Sequence, residues 1–202
     1  MSSAPARSAE VLVRPPAARR IPGETGIWVL VLGDMSVFAL FFATFMYSRG
    51  RNPQAFAAAH SDLSASLGTI NTVLLLTSSL MVALAVNDVM SGESHRASRL
   101  FGAALACGGG FIAVKAVEWT HLFIEGRTAT SSGYFQFYFM LTGIHLGHVV
   151  IGMVVLSRLI FVTRRAQELG PSRRMLCEVG GIFWHMVDLL WVVLFALFYL
   201  VR

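Results

Sequence analysis

Thr142-Gly143-Ile144-His145-Leu146-Gly147-His148-Val149 stands in the middle of an apolar stretch that runs from Tyr134 to Val162. That stretch exceeds the roughly 20 mostly apolar residues a helix needs to cross a bilayer's hydrocarbon. Its two histidines recur at helical spacing and share one face. In hydrocarbon an ionisable side chain costs roughly 2.5–3.5 kcal/mol on insertion scales, so it persists only with a partner or a purpose. The segment therefore reads as one helix of a membrane bundle whose other helices supply partners.

Four further stretches answer to that description: Gly26–Tyr47, Leu67–Asn87, Leu100–Ile124 and Leu176–Val201. Three of them carry polar groups at depth. These are Gly33-Asp34 in the first, Lys115-Ala116-Val117-Glu118-Trp119 in the third and Trp184-His185-Met186-Val187-Asp188 in the last. The expected fold is all-α: an integral bundle of five transmembrane helices. Composition agrees, with 55% hydrophobic and 13% charged residues and a mean hydropathy of +0.66. A soluble domain is excluded. No sizeable extramembrane domain is left over to carry separate chemistry.

The net charge of +5 is a topology signal, because the arginines fall in alternate loops. Arg7, Arg14, Arg19, Arg20, Arg96, Arg99, Arg164, Arg165, Arg173 and Arg174 share one side, against Arg49, Arg51, Arg127 and Arg202 on the other. The positive-inside rule puts the N-terminus in the cytoplasm and the C-terminus outside. The same distribution makes the basic excess a contact for lipid headgroups and argues against nucleic acid as a partner.

Residues 1–22 are expected to form a disordered cytoplasmic arm, since they hold no apolar core before Ile21 and do not read as a cleaved secretory signal. Residues 23–202 form the single transmembrane domain. The Ala-rich middle of the longest outside connection, Ala55 to Ala59, is expected to form a short interfacial helix. Small residues on the third span (Gly102, Ala106, Gly110) and the fourth (Gly143, Gly147, Ser157) mark expected helix contacts, because close backbone approach supplies packing in lipid. Gly108-Gly109-Gly110 marks a close crossing, a kink, or room for a lipid tail. Cys107 and Cys177 sit on different spans in no CxxC or Cys/His cluster, and read as small buried hydrophobes. Trp28 and Trp119 suit interfacial anchoring; Trp184 and Trp191 are expected to fill the bundle.

The polar residues allow sharper and blander readings. Asp34 is either a protonatable carboxyl near a proton entrance or lipid cleft, or a hydrogen bond between helices. Lys115 and Glu118 fall on one face and can neutralise each other, with His121 a turn further out. His145, His148, His185 and Asp188 share a depth near the bilayer centre. Three imidazoles and a carboxylate there suit a metal site, or hydrogen bonds from His185 and Asp188 across to His145 or His148. A proton-coupled transporter would also carry charged helices, yet no paired halves of repeat-like hydropathy appear.

Taken in chain order, these segments resemble subunit III of the haem-copper oxidases. The family's Gly/Ser-acid pair with a phenylalanine run is matched by Gly33-Asp34 followed by Phe38, Phe41, Phe42 and Phe45. Its Asn-Thr, leucine-run and Ser-Ser pattern is matched by Asn71-Thr72-Val73-Leu74-Leu75-Leu76-Thr77-Ser78-Ser79. Glu118-Trp119 follows, then the Thr142 to Val149 motif. Last come Glu178 and Trp184-His185-Met186-Val187-Asp188-Leu189-Leu190-Trp191. The ordered set runs from about Gly23 to the C-terminus and is similar to the shorter, five-helix bacterial form.

The resemblance implies an accessory subunit without catalysis of its own in an aerobic electron-transport complex of the bacterial inner membrane. It implies haem and copper in partner subunits I and II, no metal in this chain, bound phospholipid, and support of subunit I and of proton uptake during turnover. Asp34 is the implied proton-linked or lipid-cleft residue. Lys115, Glu118, His145, His148, Glu178, His185 and Asp188 make an intramembrane polar network. The stretch from Gly23 to Phe38 is also similar to the subunit-III-like accessory proteins of nitric oxide reductase, and quinol oxidase subunits share the five-helix plan.

Overall fold

The structure, a computed structural model, describes residues 25–54, 56, 63–165 and 169–200. Its elements are α1 (Thr25–Arg51), α2 (Ala65–Ser91), α3 (Ser94–Ile124), α4 (Gly133–Arg165) and α5 (Pro171–Phe195), the last continued by a π-helical turn (Ala196–Leu200). All five helices are long and apolar enough to cross a membrane. Each expected span is found, extended by about a turn where polar residues carry the helix toward the headgroup level. The N-terminal arm lies outside the described residues. So does the Ala55–Ala59 segment except for Phe56, which is buried edge-on against Phe45 and Tyr134.

Two glycines close the tight turns. Gly92 adopts φ +88°, which L side chains avoid, and lets the amide of Glu93 reach back to the carbonyl of Asp88. Gly126, at φ +74°, does the same for Arg127 and Leu122. Antiparallel packing follows, with α2 along α3 and α5, and α4 along α3 and α5. α5 is the hub: its apolar window is 56% buried, against 11% for α1. α1 touches only α4 and α5 to any extent, through a stripe in which Phe38 and Phe45 are buried.

Trp184 shows how the helices lock together. Its ring lies between two glycines of neighbouring helices. A Cβ at Gly152 of α4 would meet it at 2.7 Å, and one at Gly108 of α3 at 3.1 Å. Its indole N–H donates to Ser78 Oγ of α2 at 3.1 Å, and Ser78 donates onward to the carbonyl of Ala104 at 2.9 Å. One side chain thus ties four helices.

The expected small-residue seam on α3 is corrected here. Ala106 is exposed and a Cβ at Gly102 would meet nothing, so only Gly110 makes a helix contact, to Leu74. The buried face is instead Phe101, Ala104, Gly108, Phe111 and Lys115, because the large apolar surfaces set the helix rotation. Of the three consecutive glycines, Gly108 alone serves a close crossing with another helix's ring. On α4, Gly147 meets nothing, Gly143 makes ordinary contact with Trp119, and Ser157 bonds its own helix. Trp191 is buried as expected, while Trp119 is half-buried edge-on to Phe139. Cys107 is half-buried, Cys177 is buried, and both are free.

Candidate functional site

The polar residues separate into three groups at different places in the bundle. The first centres on Lys115 of α3, which is 1% exposed beside Glu118 at 3%. Lys115 Nζ donates to Glu118 Oε2 at 2.7 Å, to Tyr138 Oη at 3.0 Å and to Tyr199 Oη at 2.9 Å. All three ammonium hydrogens are thereby used. Tyr199 Oη donates to the other carboxylate oxygen, Oε1, at 2.6 Å. The ammonium also lies 4.9 Å from the centroids of both the Tyr138 and Trp191 rings, where ring quadrupoles favour a cation.

The expected pairing of Lys115 with Glu118 holds, and its two tyrosines come from elsewhere in the chain. Tyr199 reaches it because the last turn is π-helical; the wider turn shifts the register after Phe195. Tyr134 Oη holds that turn by donating to the carbonyl of Phe198 at 3.0 Å. A cavity of about 370 Å³ lined by Leu63, Ser64, Leu67, Val117, Glu118 and His121 approaches the pair from the far end. His121 is exposed and faces Glu125 at 3.4 Å.

The second group is a ladder between α2 and α5. Trp191 Nε1 donates to Thr72 Oγ1 at 3.1 Å, Trp184 Nε1 to Ser78, and His185 Nδ1 bonds Ser79 Oγ at 2.6 Å. The expectation that His185 and Asp188 meet His145 or His148 is therefore corrected. Trp184 occupies the α4 side of α5, against Gly152, which turns His185 toward α2. His145 is fully buried between Phe111 and Trp191, and neither ring nitrogen has a hydrogen-bond partner among the described residues. Asp188 is buried with Oδ1 likewise unpartnered.

His148 belongs to the third group. Its Nε2 is 3.1 Å from Asp34 Oδ2, so it bonds α1 instead of α5. Its Nδ1 is 2.9 Å from the carbonyl of Ile144. A carbonyl only accepts, so Nδ1 carries a hydrogen. The Nε2–Asp34 bond then contains one shared proton, as imidazolium with carboxylate or as imidazole with carboxylic acid. Either arrangement is neutral overall, which suits a half-buried position in hydrocarbon. The edge of Phe38 covers the imidazole at 5.8 Å.

With the histidines so divided, His145, His148, His185 and Asp188 do not converge, and no cluster of three or more His, Cys, Asp or Glu suited to a metal occurs among the described residues. Glu178 stands apart at the other end of α5 from the ion pair, lining a cavity of about 720 Å³ with Met90, Leu169, Arg174 and Met175. Sequence reasoning missed Tyr138 and Tyr199 as part of the ion-pair group. Tyr138 shares the inward face with Leu141 and His145, a usable signal. Tyr199 has none, because the π turn breaks the helical period.

An all-α, multi-pass membrane protein with an internally bonded polar seam is the class these features define. The family model described as cytochrome c oxidase subunit III matches residues 21–201, and the chain belongs to that family. Cytochrome c oxidase subunit 3 of Bacillus subtilis is 30% identical over 177 residues, covering 87% of this chain and 84% of the relative. Cytochrome bo(3) ubiquinol oxidase subunit 3 of Pseudomonas putida is 26% identical over 178 residues, again 87% and 84%. A heme-copper oxidase subunit I+III of Aeropyrum pernix is 28% identical over 191 residues, covering 88% of this chain and 22% of that longer one. The resemblance drawn from the ordered motifs holds.

Proposed function

We propose that this chain is the non-redox accessory subunit of a haem-copper terminal oxidase, seated against subunit I in the bacterial inner membrane with its N-terminus in the cytoplasm. The relative that joins subunits I and III in one polypeptide is the observation that carries the partnership, since fusion keeps two chains in permanent proximity. Haem and copper belong to subunits I and II in this reading. The chain's own polar residues hold the bundle and sustain turnover. Asp34 and His148 tether the peripheral α1 to α4 and pass no electron; their shared proton and the adjoining apolar surface support proton uptake and lipid contact.

The arginine distribution supports the orientation: Arg96, Arg99, Arg164, Arg165, Arg173 and Arg174 lie at the end that carries the α2–α3 turn and the α4–α5 connection. The tail before Ile21 is then a cytoplasmic arm. A second reading, subunit III of a quinol oxidase, is favoured by relatives of that name. Affinity purification of the tagged chain from its native membranes tests the proposal. Co-purification of haem-bearing subunit I is expected, with oxygen consumption driven by reduced cytochrome c or by quinol telling the two donors apart. Recovery of the chain free of any haem-bearing partner would overturn it.

A further inference from the structure

Asn71 of α2, Phe111 of α3, His145 of α4 and Trp191 of α5 form one layer of the core, and all four are 0% exposed. The Phe111 and Trp191 ring centroids are 4.8 Å apart, and the His145 ring lies 5.7 Å from the first and 5.5 Å from the second. Asn71 joins them from α2, on the buried face it shares with Leu75 and Ser78. A Cβ at Gly110 of α3 would meet Leu74 at 3.5 Å, so Asn71, about 4.5 Å further along the antiparallel α2, is level with the stretch from Phe111 to Lys115. Its neighbour Thr72 accepts the Trp191 indole hydrogen at 3.1 Å.

Two of the four side chains carry polar groups that the protein leaves unmet. Both ring nitrogens of His145 and both polar atoms of the Asn71 carboxamide are buried with no hydrogen-bond partner among the described residues. Everything polar beside them is bonded: Trp191 to Thr72, and Lys115 to Glu118, Tyr138 and Tyr199. Buried polar groups are with few exceptions bonded, to protein or to ordered water, and a low dielectric makes an unpaired one costly. Chemistry narrows what can meet these four atoms. A neutral imidazole takes one acceptor and one donor, and a carboxamide takes acceptors at its nitrogen and a donor at its oxygen. A cation or a carboxylate answers only one half of that demand. Water answers both, is uncharged, and is small enough to sit beside rings already in contact.

Water also has a way in. The cavity of about 370 Å³ at the end where α2 begins is lined by Leu67 and Glu118. Leu67 precedes Asn71 by one turn of α2, about 6 Å along its axis. Glu118 is bonded to Lys115, whose ammonium lies 4.9 Å from the centroid of the same Trp191 ring that covers His145. We propose that this layer binds internal water, more than one molecule, hydrogen-bonded to His145 and Asn71 and exchanging with bulk water through that cavity. The site makes His145 a proton-exchanging group in the core of the bundle, one turn along α4 from His148 and the proton it shares with Asp34. It depends on how α2 to α5 pack and stands whichever catalytic partner the chain serves.

The test is X-ray radiolytic footprinting of the complex purified with this chain, because hydroxyl radicals formed from a bound water oxidise the side chains around it and mass spectrometry counts the products. Trp191 has a matched control in Trp184, and Phe111 in Phe101, since all four are at most 1% exposed. In the wild type Trp191 and Phe111 should be oxidised several-fold faster than their controls. Asn71→Leu with His145→Leu should bring both down to the control rates. Leu67→Trp, which narrows the cavity, should slow the uptake of label into Trp191 from heavy-oxygen water pulsed in before exposure. Equal rates for Trp191 and Trp184 in the wild type would overturn the hydrated layer, as would rates undiminished in the double variant. Label uptake unchanged in Leu67→Trp would overturn the route of entry. If the double variant fails to assemble, the wild-type comparison of matched residues decides alone. Because the readout is oxidation of buried rings and not co-purification or turnover, its failure leaves the accessory-subunit reading intact.

Discussion

Replacing Glu118 with Leu strands an ammonium group that is almost wholly buried and has no other carboxylate within bonding distance among the described residues. Two tyrosine hydroxyls and the faces of Tyr138 and Trp191 would remain around Lys115, but none of them carries a compensating charge. Breaking a buried ion pair from one side costs about 3–5 kcal/mol, or roughly two to three and a half orders of magnitude in the folding equilibrium. Lys115→Met should fall at the lower end of that range, because Tyr199 still donates to Glu118 Oε1 at 2.6 Å. The double variant Lys115→Met with Glu118→Leu leaves no charge behind. Its residual cost is the loss of hydroxyl partners for Tyr138 and Tyr199, about 1–3 kcal/mol, and those hydroxyls already lie 3.4 Å apart. The double should therefore be more stable than Glu118→Leu alone. A double-mutant cycle on the purified chain, using reversible unfolding in mixed micelles followed by far-ultraviolet circular dichroism, measures the coupling. Single variants within about 1 kcal/mol of the wild type would refute the reasoning, as would a double whose loss equals the sum of the singles.

Two further outcomes follow from the other groups. Gly152→Ala places a Cβ 2.7 Å from the Trp184 ring and should cost about 1–3 kcal/mol by overpacking, while Gly102→Ala, with nothing within 4 Å, should stay within about 0.5 kcal/mol; thermal unfolding compares them. Asp34→Ala should leave the haem spectrum and initial oxygen consumption of the complex largely intact and hasten the loss of activity over repeated turnover. His148→Ala should do the same, with the double variant no worse than either, because both remove one bond. Early loss of activity with normal assembly, lipid and haem content would place Asp34 in the catalytic path.

The spans, the helical class and the Lys115–Glu118 pair were legible because each depends on residues close in sequence. Hydropathy over a helix's length reports membrane crossing, and a charge pair one turn apart reports itself. Long-range partners were not legible. His148 has the same local spacing to His145 as His185 has to Asp188, so spacing gave no reason to send it to Asp34. What decides it is rotation about the helix axes, fixed by large rings such as Trp184, Phe111 and Phe38 seeking burial. The small-residue seam on α3 failed for the same cause. Gly102, Ala106 and Gly110 have contact-like spacing, but Phe101, Phe111 and Lys115 claim the inward side.

The distribution of bonds among the helices also bears on how such a chain serves a larger complex. α5 bonds α2 at Thr72, Ser78 and Ser79, and the π turn that continues it bonds α3 and α4 through Tyr199 and Phe198. Those interactions are buried or half-buried and bind α2 through α5 into one body. α1 lies outside that body, joined to α4 by the Asp34–His148 bond and with a largely exposed apolar surface that includes Val29, Leu32 and Leu40. Local stability follows contact density and buried area, so α1 is the helix whose position is most easily biased by its surroundings. A single shared proton sits at the joint. Whatever covers the outer surface of α1, lipid or a partner helix, should therefore bear on the Asp34–His148 bond more than on the buried Lys115–Glu118 pair.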